Sequence, residues 1–151
     1  MTKRFDNALS AFRNYRFKFA VELLTALQKI DNERYRKNRG DAKIEITDGN
    51  ALFEHICTKR EGYELNELAL YALDRATCDA VMVVMYAGRD GDESLKRGDK
   101  YDADRIDAEF AEWWDYLGMD AETHSREIMS EKWPLDRYLA DGMHMFRIDE
   151  R

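Results

Sequence analysis

The longest uninterrupted apolar run of the chain is Ala80-Val81-Met82-Val83-Val84-Met85-Tyr86-Ala87. Because the run is apolar on every side, it indicates a central buried element, and length alone does not separate a helix from a strand. Thr77 stands where a helix N-cap belongs, and Asp79 lies in the first turn, where the helix dipole favours a negative charge. Gly88 suits the left-handed position at which many helices end. Since the chain has no second run rich in β-branched residues, we interpret this run as a central helix.

Helical spacing of apolar residues continues on both sides of the central run. The first segment predicts a long amphipathic helix of about seven turns, in which Arg16 fills the one gap in the spacing. Its apolar residues are Phe5, Leu9, Phe12, Phe19, Leu23, Leu27 and Ile30. Further helices are predicted over residues 50–59, 65–76 and 104–117, followed by a short helix ending at residue 131 and a last helix after Pro134.

These segments predict an all-α fold, a compact bundle of six or seven helices with one long N-terminal helix. Ile44-Glu45-Ile46 alternates like a strand but has no partner strand, so we interpret it as an extended connector. Residues 88–101 are mostly glycine and charged residues, which predicts an exposed loop. The predicted core consists of Phe12, Phe19, Leu23, Leu68, Val81, Val84, Met85, Phe110, Trp113, Leu117 and Leu139.

Length and composition restrict the class of protein. The chain of 151 residues fits a single helical domain over residues 1–151, and 44% hydrophobic residues supply a core and exclude wholesale disorder. No apolar run approaches the roughly 20 residues needed to cross a bilayer, and the first residues lack the apolar core of a signal peptide. Two cysteines, Cys57 and Cys78, give no disulfide framework, so we expect a cytoplasmic protein with no membrane partner.

Charge is distributed unevenly along the chain. Residues 1–43 contain eleven Lys or Arg and five Asp or Glu, whereas residues 44–151 contain thirteen and twenty-six. The net charges are therefore +6 and −13, which together give the −7 of the whole chain. One interpretation is that the basic N-terminal helix packs on the acidic body and is neutralised there. The other is that the basic segment attracts a charged partner by long-range steering.

No pattern of reactive side chains in the sequence indicates catalysis or metal binding. His55, His124 and His144 are far apart, and Cys57 is too close to His55 to share a helix face with it. The acidic stretch 90–94 begins like a calcium-binding loop but lacks the glycine and the final glutamate that such a loop requires. We therefore expect no catalytic residue, no metal and no cofactor.

Exposed cations and large aromatic residues are the candidate partner-binding residues. The run from Arg34 to Arg39 places four cations and Tyr35 within six residues, a pattern that suits phosphates or an acidic protein face. The adjacent tryptophans Trp113 and Trp114 point about 100° apart on a helix. Both fit a core, and the alternative is a partly exposed Trp114 in a partner groove. The candidate set is Arg34, Arg36, Lys37, Arg39, Arg89 and Trp114.

Two motifs in the C-terminal half resemble those of a known family. Residues 88–92 read Gly-Arg-Asp-Gly-Asp after the central apolar run, and residues 134–143 read Pro-Leu-x-x-Tyr-Leu-x-x-Gly-Met. This pattern resembles an uncharacterised bacterial domain family of unknown function that carries a Gly-Arg-Gly-Asp loop and a C-terminal Pro-Leu-Leu-x-x-Tyr-Leu-x-x-Gly-Leu helix. The resemblance covers about residues 65–146 and departs in the loop, which is also longer here. It implies a helical, cytoplasmic protein of bacterial or phage origin and supplies no activity.

The sequence favours a non-catalytic macromolecule-binding or regulatory protein. A protein partner is favoured over nucleic acid, because the −13 body would repel a long nucleic acid beyond the basic strip. One alternative is a small acidic inhibitor of phage or plasmid anti-defence type, in which the acidic body occupies a nucleic-acid-binding groove of host machinery. The second alternative is an enzyme whose site is assembled from distant Glu, Asp, His and Arg residues.

Overall fold

The computed structural model describes residues 2–39, 64–91, 103–122, 124–132 and 134–151. Within these ranges the chain forms seven α-helices and one short 3₁₀ helix, and no strand. The helices are α1 (Lys3–Arg13), α2 (Arg16–Arg39), α3 (Glu64–Ala72), α4 (Arg75–Asp90), α5 (Ala103–Tyr116), α6 (Ser125–Ser130) and α7 (Leu135–Met145), and the 3₁₀ helix is Ile148–Glu150. The predicted all-α class and helical bundle are confirmed.

The central apolar run lies in α4, and the interpretation of this run as a helix is confirmed. The residues from Cys78 to Met85 are all buried. Around α4 pack α1, α5, α6 and α7, while α2 lies against α3 and α7. Since α4 contacts helices on several sides, it needs apolar residues all round, which is the pattern that its sequence shows.

The closest approach to α4 comes from α7, at two glycines. A Cβ atom on Gly88 would lie 2.0 Å from the carbonyl oxygen of Tyr138, and one on Gly142 would lie 2.1 Å from the carbonyl oxygen of Val84. The two backbones therefore meet where neither helix has a side chain. The prediction that Gly88 ends the helix is wrong, because α4 continues to Asp90 and is capped by Gly91.

The start of α4 differs from the prediction by three residues. Asp74, and not Thr77, is the N-cap, and its carboxylate accepts a hydrogen bond from the Thr77 backbone N–H at 2.8 Å. The preceding helix α3 ends at Ala72, earlier than the predicted residue 76. The helix α4 can begin there because Asp74 satisfies a first-turn N–H group that has no partner within that helix.

The long N-terminal helix is present as α2, but its predicted continuation back to Phe5 is interrupted. Asn14 adopts an extended backbone at the end of α1. Its side-chain oxygen accepts from the Arg16 N–H at 2.9 Å, and its carbonyl accepts from the Phe17 N–H at 3.0 Å. Asn14 thus ends one helix and starts the next, and the break falls beside the gap in the apolar spacing that Arg16 marks.

Most of the predicted core is confirmed, and three residues of it are wrong. Phe12, Phe110 and Leu139 are buried together with Val81, Val84 and Met85, and Trp113 and Leu117 are half-buried against this core. Phe19, Leu23 and Leu68 are exposed. The break at Asn14 accounts for the first two, because a chain that leaves the helix and re-enters it no longer keeps the spacing of the first segment.

Several predictions lie outside the described residues: the helix over residues 50–59, the connector over residues 44–46, residues 92–101 of the predicted loop, and Cys57. Among the described helices, none combines the length and the apolar character needed to cross a membrane.

Candidate interaction surface

The predicted basic strip lies at the C-terminal end of α2. Arg34, Arg36 and Lys37 are exposed there, and Arg39 is the last residue of the helix, with its side chain outside the described residues. Three of the four predicted cations are therefore brought to one exposed helix end.

Those three cations differ in their pairing from the two arginines of α1 that contact the acidic body. Within the described ranges Arg34, Arg36 and Lys37 form no ion pair, whereas Arg4 contacts Asp79 and Arg13 contacts Asp107. The described structure therefore neutralises the basic segment against the acidic body through α1, and leaves the charge at the end of α2 facing solvent.

Arg89 is exposed near the C-terminal end of α4 and contacts its own helix. Its Nε donates to the Asp90 carboxylate at 2.8 Å, and its guanidinium lies 5.1 Å from the centre of the Tyr86 ring. The hydrogen bond to Asp90 raises the pKa of Arg89 above its usual value. Arg89 is thus a charged surface residue on a different helix from the strip on α2.

Trp114, one of the candidate partner-binding residues, lies in the core, so the alternative of a partly exposed Trp114 in a partner groove is wrong. Trp114 is fully buried, its Nε1 donates to the Asp120 carboxylate at 3.1 Å, and its ring meets Phe5 edge to face at 5.6 Å. Trp113 is the half-buried member of the pair, and it packs edge to face on Tyr116 at 5.5 Å. Sequence spacing separates the two rings by angle, but the packing of α5 on its neighbours decides which of them enters the core.

A stripe of apolar residues lies on the outer side of α2, and the sequence predicted two of them, Phe19 and Leu23, in the core. Phe19, Leu23 and Ile30 are 63%, 53% and 44% exposed, and Leu27 is half-buried. We call these four residues the outer stripe. The buried side of the same helix is formed by Phe17, Val21 and Leu24, followed by Gln28 and Asp31.

An open groove adjoins the N-terminal end of the outer stripe. It has a volume of about 650 Å³ and lies between the start of α2 and the start of α5. Tyr15, Phe19 and Ile106 form its apolar lining, and the Arg13–Asp107 ion pair lies at its edge. The groove is of the size that accommodates small ligands or protruding side chains.

Sequence reasoning also missed a buried ion pair at the N-terminal end of α4. Asp79 is fully buried and accepts from Arg4 Nε at 2.9 Å, from Arg4 Nη2 at 3.0 Å and from the Ser125 hydroxyl at 3.0 Å. The hydrogen bond to Asp79 raises the pKa of Arg4. The one signal in the sequence was an aspartate next to a long apolar run, since a carboxylate in that position needs a partner to be buried.

The thiol of Cys78 is a further reactive group in the described part of the chain. It is buried, and burial raises its pKa to about 11, so the thiol stays protonated at neutral pH and is a poor nucleophile. In the described ranges, no group of three or more His, Cys, Asp or Glu side chains has the geometry of a metal site.

Comparisons with known proteins give no relative for this chain. No family model matches it, and no curated protein and no solved structure matches it.

Proposed function

We propose that the protein is a non-catalytic binding module that recognises an acidic surface of another protein. The observation that carries this proposal is the exposed group of Arg34, Arg36 and Lys37, which form no ion pair within the described residues. Cations near a rim of an interface chiefly raise the association rate and select partners of opposite charge. A free protein keeps such cations in solvent until the partner supplies the carboxylates.

A protein partner is favoured over a nucleic acid by the charge of the whole chain. The net charge is −7, so a long polyanion that contacts the end of α2 would be repelled by the rest of the molecule. A protein can present a local acidic patch without that penalty. We place this binding in the cytoplasm, in keeping with a buried Cys78 that is a free thiol.

The test is affinity capture from source cells with the intact protein, comparing the parent with a variant in which Arg34, Arg36, Lys37 and Arg39 are changed to Glu. We expect the variant to lose the captured partner and to keep its melting temperature, because the described cations of this group are exposed. The association rate of the parent with the captured partner should fall as the salt concentration rises. Capture of the same partner at unchanged affinity by the variant contradicts the proposal.

A matched control distinguishes the effect of where the charge is reversed from the effect of the change in net charge. The double variant Arg34→Glu/Arg36→Glu and the double variant Lys3→Glu/Arg137→Glu change the net charge equally, at residues that are all exposed. We expect the first pair to weaken capture strongly and the second pair to have little effect. Equal loss in both variants would indicate a response to net charge alone.

The second candidate function is an acidic inhibitor that occupies a nucleic-acid-binding groove. The observation that favours it is α5, which carries five carboxylates and one arginine in fourteen residues. Burial and the nearby Glu112 raise the pKa of Glu109, as expected where negative charge is concentrated. In the same capture experiment, Glu112→Lys/Asp115→Lys should abolish binding under this candidate, and nucleic acid should displace the partner.

A further inference from the structure

The two apolar sides of α2 have different environments. Phe17, Val21 and Leu24 face the core, while Phe19, Leu23 and Ile30 of the outer stripe are exposed and Leu27 is half-buried. The members of the outer stripe follow at intervals of three and four residues, so they form one continuous row about 16 Å long. Isolated exposed apolar residues are common on protein surfaces, but a continuous row on one helix marks an interaction site.

The groove gives one end of the outer stripe a place for an anchoring side chain. Phe19 belongs to both features, and Tyr15, 69% exposed, lies beside it. Ile106 reaches the groove from α5. Bound partners commonly gain most of their affinity from one or two large apolar residues that fill such a depression.

Cations stand at both ends of the outer stripe and continue its spacing. Arg16 precedes Phe19 by three residues, and Arg34 and Lys37 follow Ile30 by four and seven residues. All three cations are exposed. Glu22 and Glu33 are also exposed on this helix, but they are outnumbered by cations at its ends. The surface is therefore apolar in its middle and net positive at both ends, which fits an occupant that is apolar in its middle and negative at both ends.

This charge pattern disfavours a second copy of the same chain. In a parallel pairing each Arg34 would face its own counterpart, and in an antiparallel pairing Lys37 would approach Arg16. Like charges opposed across an interface weaken it. An extended anionic lipid surface is disfavoured too, because the whole chain is negative and would be repelled beyond the local contact.

We infer that the outer stripe and its groove bind an amphipathic helix of another protein. That partner helix has an apolar row about three turns long and carboxylates at both ends. This inference rests on the proposed function and specifies the partner, since the cations at the end of α2 bind the acidic end of that helix. The apolar row packs along α2, and one bulky residue of the partner fills the groove.

The test uses a synthetic fluorescent peptide of about 18 residues that forms a helix, with leucines on one side and glutamates at both ends. The control peptide has the same composition with the leucines distributed around the helix. Binding to the intact protein is measured by fluorescence anisotropy. We expect the striped peptide to bind. The redistributed peptide should bind roughly tenfold more weakly or show no binding.

Matched variants locate the peptide-binding site on the protein. Phe19→Gln/Leu23→Gln should weaken peptide binding roughly tenfold or more, whereas Tyr116→Gln, at a residue 78% exposed on α5, should leave it unchanged. Circular dichroism and the melting temperature of all variants are compared with the parent, and we expect little change because the replaced residues are exposed. Equal binding by parent and Phe19→Gln/Leu23→Gln overturns the inference.

The outcomes distinguish this inference from the proposed function. If the charge reversals abolish capture of the cellular partner and Phe19→Gln/Leu23→Gln does not affect it, the proposed function stands and the inference about the outer stripe is wrong. If neither set of changes affects capture, both are wrong.

Dimerisation of the parent that Phe19→Gln/Leu23→Gln abolishes would assign the stripe to a second copy. Binding of the parent to phosphatidylserine vesicles, without peptide binding, would assign it to a membrane surface.

Discussion

Gly88 and Gly142 are the residues at which α4 and α7 meet backbone to backbone. A Cβ atom at either position would lie within 2.1 Å of a carbonyl oxygen of the facing helix. These glycines are also the fixed positions of the two C-terminal motifs on which the family resemblance rests. The close crossing of two helices is therefore a structural reason for glycine at both positions. Membership of that family stays a prediction.

Gly142→Ala is predicted to lower the free energy of unfolding by about 3 kcal/mol, because the facing helix must move away to admit a methyl group. Gly118→Ala is the control. Gly118 has φ of 62° and open space around it, so the change should cost only about 1 kcal/mol of backbone strain. Urea unfolding followed by circular dichroism measures both. A Gly142→Ala variant with the midpoint of the parent would contradict the close crossing.

At the scale of the helical elements, the ends are set by side chains that the apolar pattern does not include. Asn14 ends α1 and begins α2, and Asp74 begins α4. Each supplies an oxygen to backbone N–H groups that have no partner inside the helix. The apolar spacing predicted which segments are helical, and these capping residues decided where α2 and α4 begin.

The cap at Asp74 predicts an acid-dependent contribution to stability. The hydrogen bonds from Thr77 hold the pKa of Asp74 below its usual 3.8. A carboxylate with a lowered pKa in the folded state stabilises above its unfolded pKa and loses that effect as the pH falls through its folded pKa. Asp74→Ala should therefore cost about 1 kcal/mol at pH 7 and less at about pH 2.5.

Asp74→Asn is the matched control for the cap, since its amide oxygen still accepts the Thr77 hydrogen bond without a charge. Unfolding in urea at several pH values should show Asp74→Asn close to the parent at neutral pH. A loss for Asp74→Ala that stays the same from neutral to acidic pH would show that the carboxylate is not a charged cap.

At the scale of the whole molecule, Asp79 connects three helices. It lies on α4, Arg4 reaches it from α1, and Ser125 reaches it from α6. Arg75 Nε also lies 4.0 Å from this carboxylate, but its side chain is 59% exposed and Arg4 is the cation that donates hydrogen bonds to Asp79. A buried carboxylate that loses its hydrogen-bonded cation is strongly destabilising, since the remaining charge has no solvent to stabilise it. The tertiary packing of α1 on α4 therefore depends on this ion pair as well as on apolar contacts.

Arg4→Met is predicted to lower the free energy of unfolding by about 3–5 kcal/mol. Arg13→Met, on the same helix, should cost about 1 kcal/mol or less, because the Arg13 side chain is more than half exposed. Arg4→Met/Asp79→Leu should recover much of the lost free energy of unfolding, because it also removes the unpaired buried carboxylate. Thermal unfolding of the three variants checks the set. Similar melting temperatures for Arg4→Met and Arg13→Met would contradict a buried pair.

The candidate surface was predictable only in part. The basic strip at Arg34, Arg36 and Lys37 follows from the sequence, because cations rarely leave solvent. Phe19 and Leu23 were assigned to the core and are exposed, and for Trp114 a partly exposed position stayed open although it is buried. Apolar spacing marks a face of a helix without showing what that face packs against. On α2 the apolar residues form two rows, and both have helical spacing.

The sequence by itself determined the all-α class, the central buried helix at residues 80–87 and most of the described helical segments, because helical periodicity is a local property of the chain. The tertiary structure decided which side of α2 is buried, which tryptophan enters the core, and that Gly88 lies at a helix crossing. Each of these depends on the rotation of one helix against another. Such rotations are set by contacts between residues distant in sequence, as between Gly88 and Gly142 or Arg4 and Asp79.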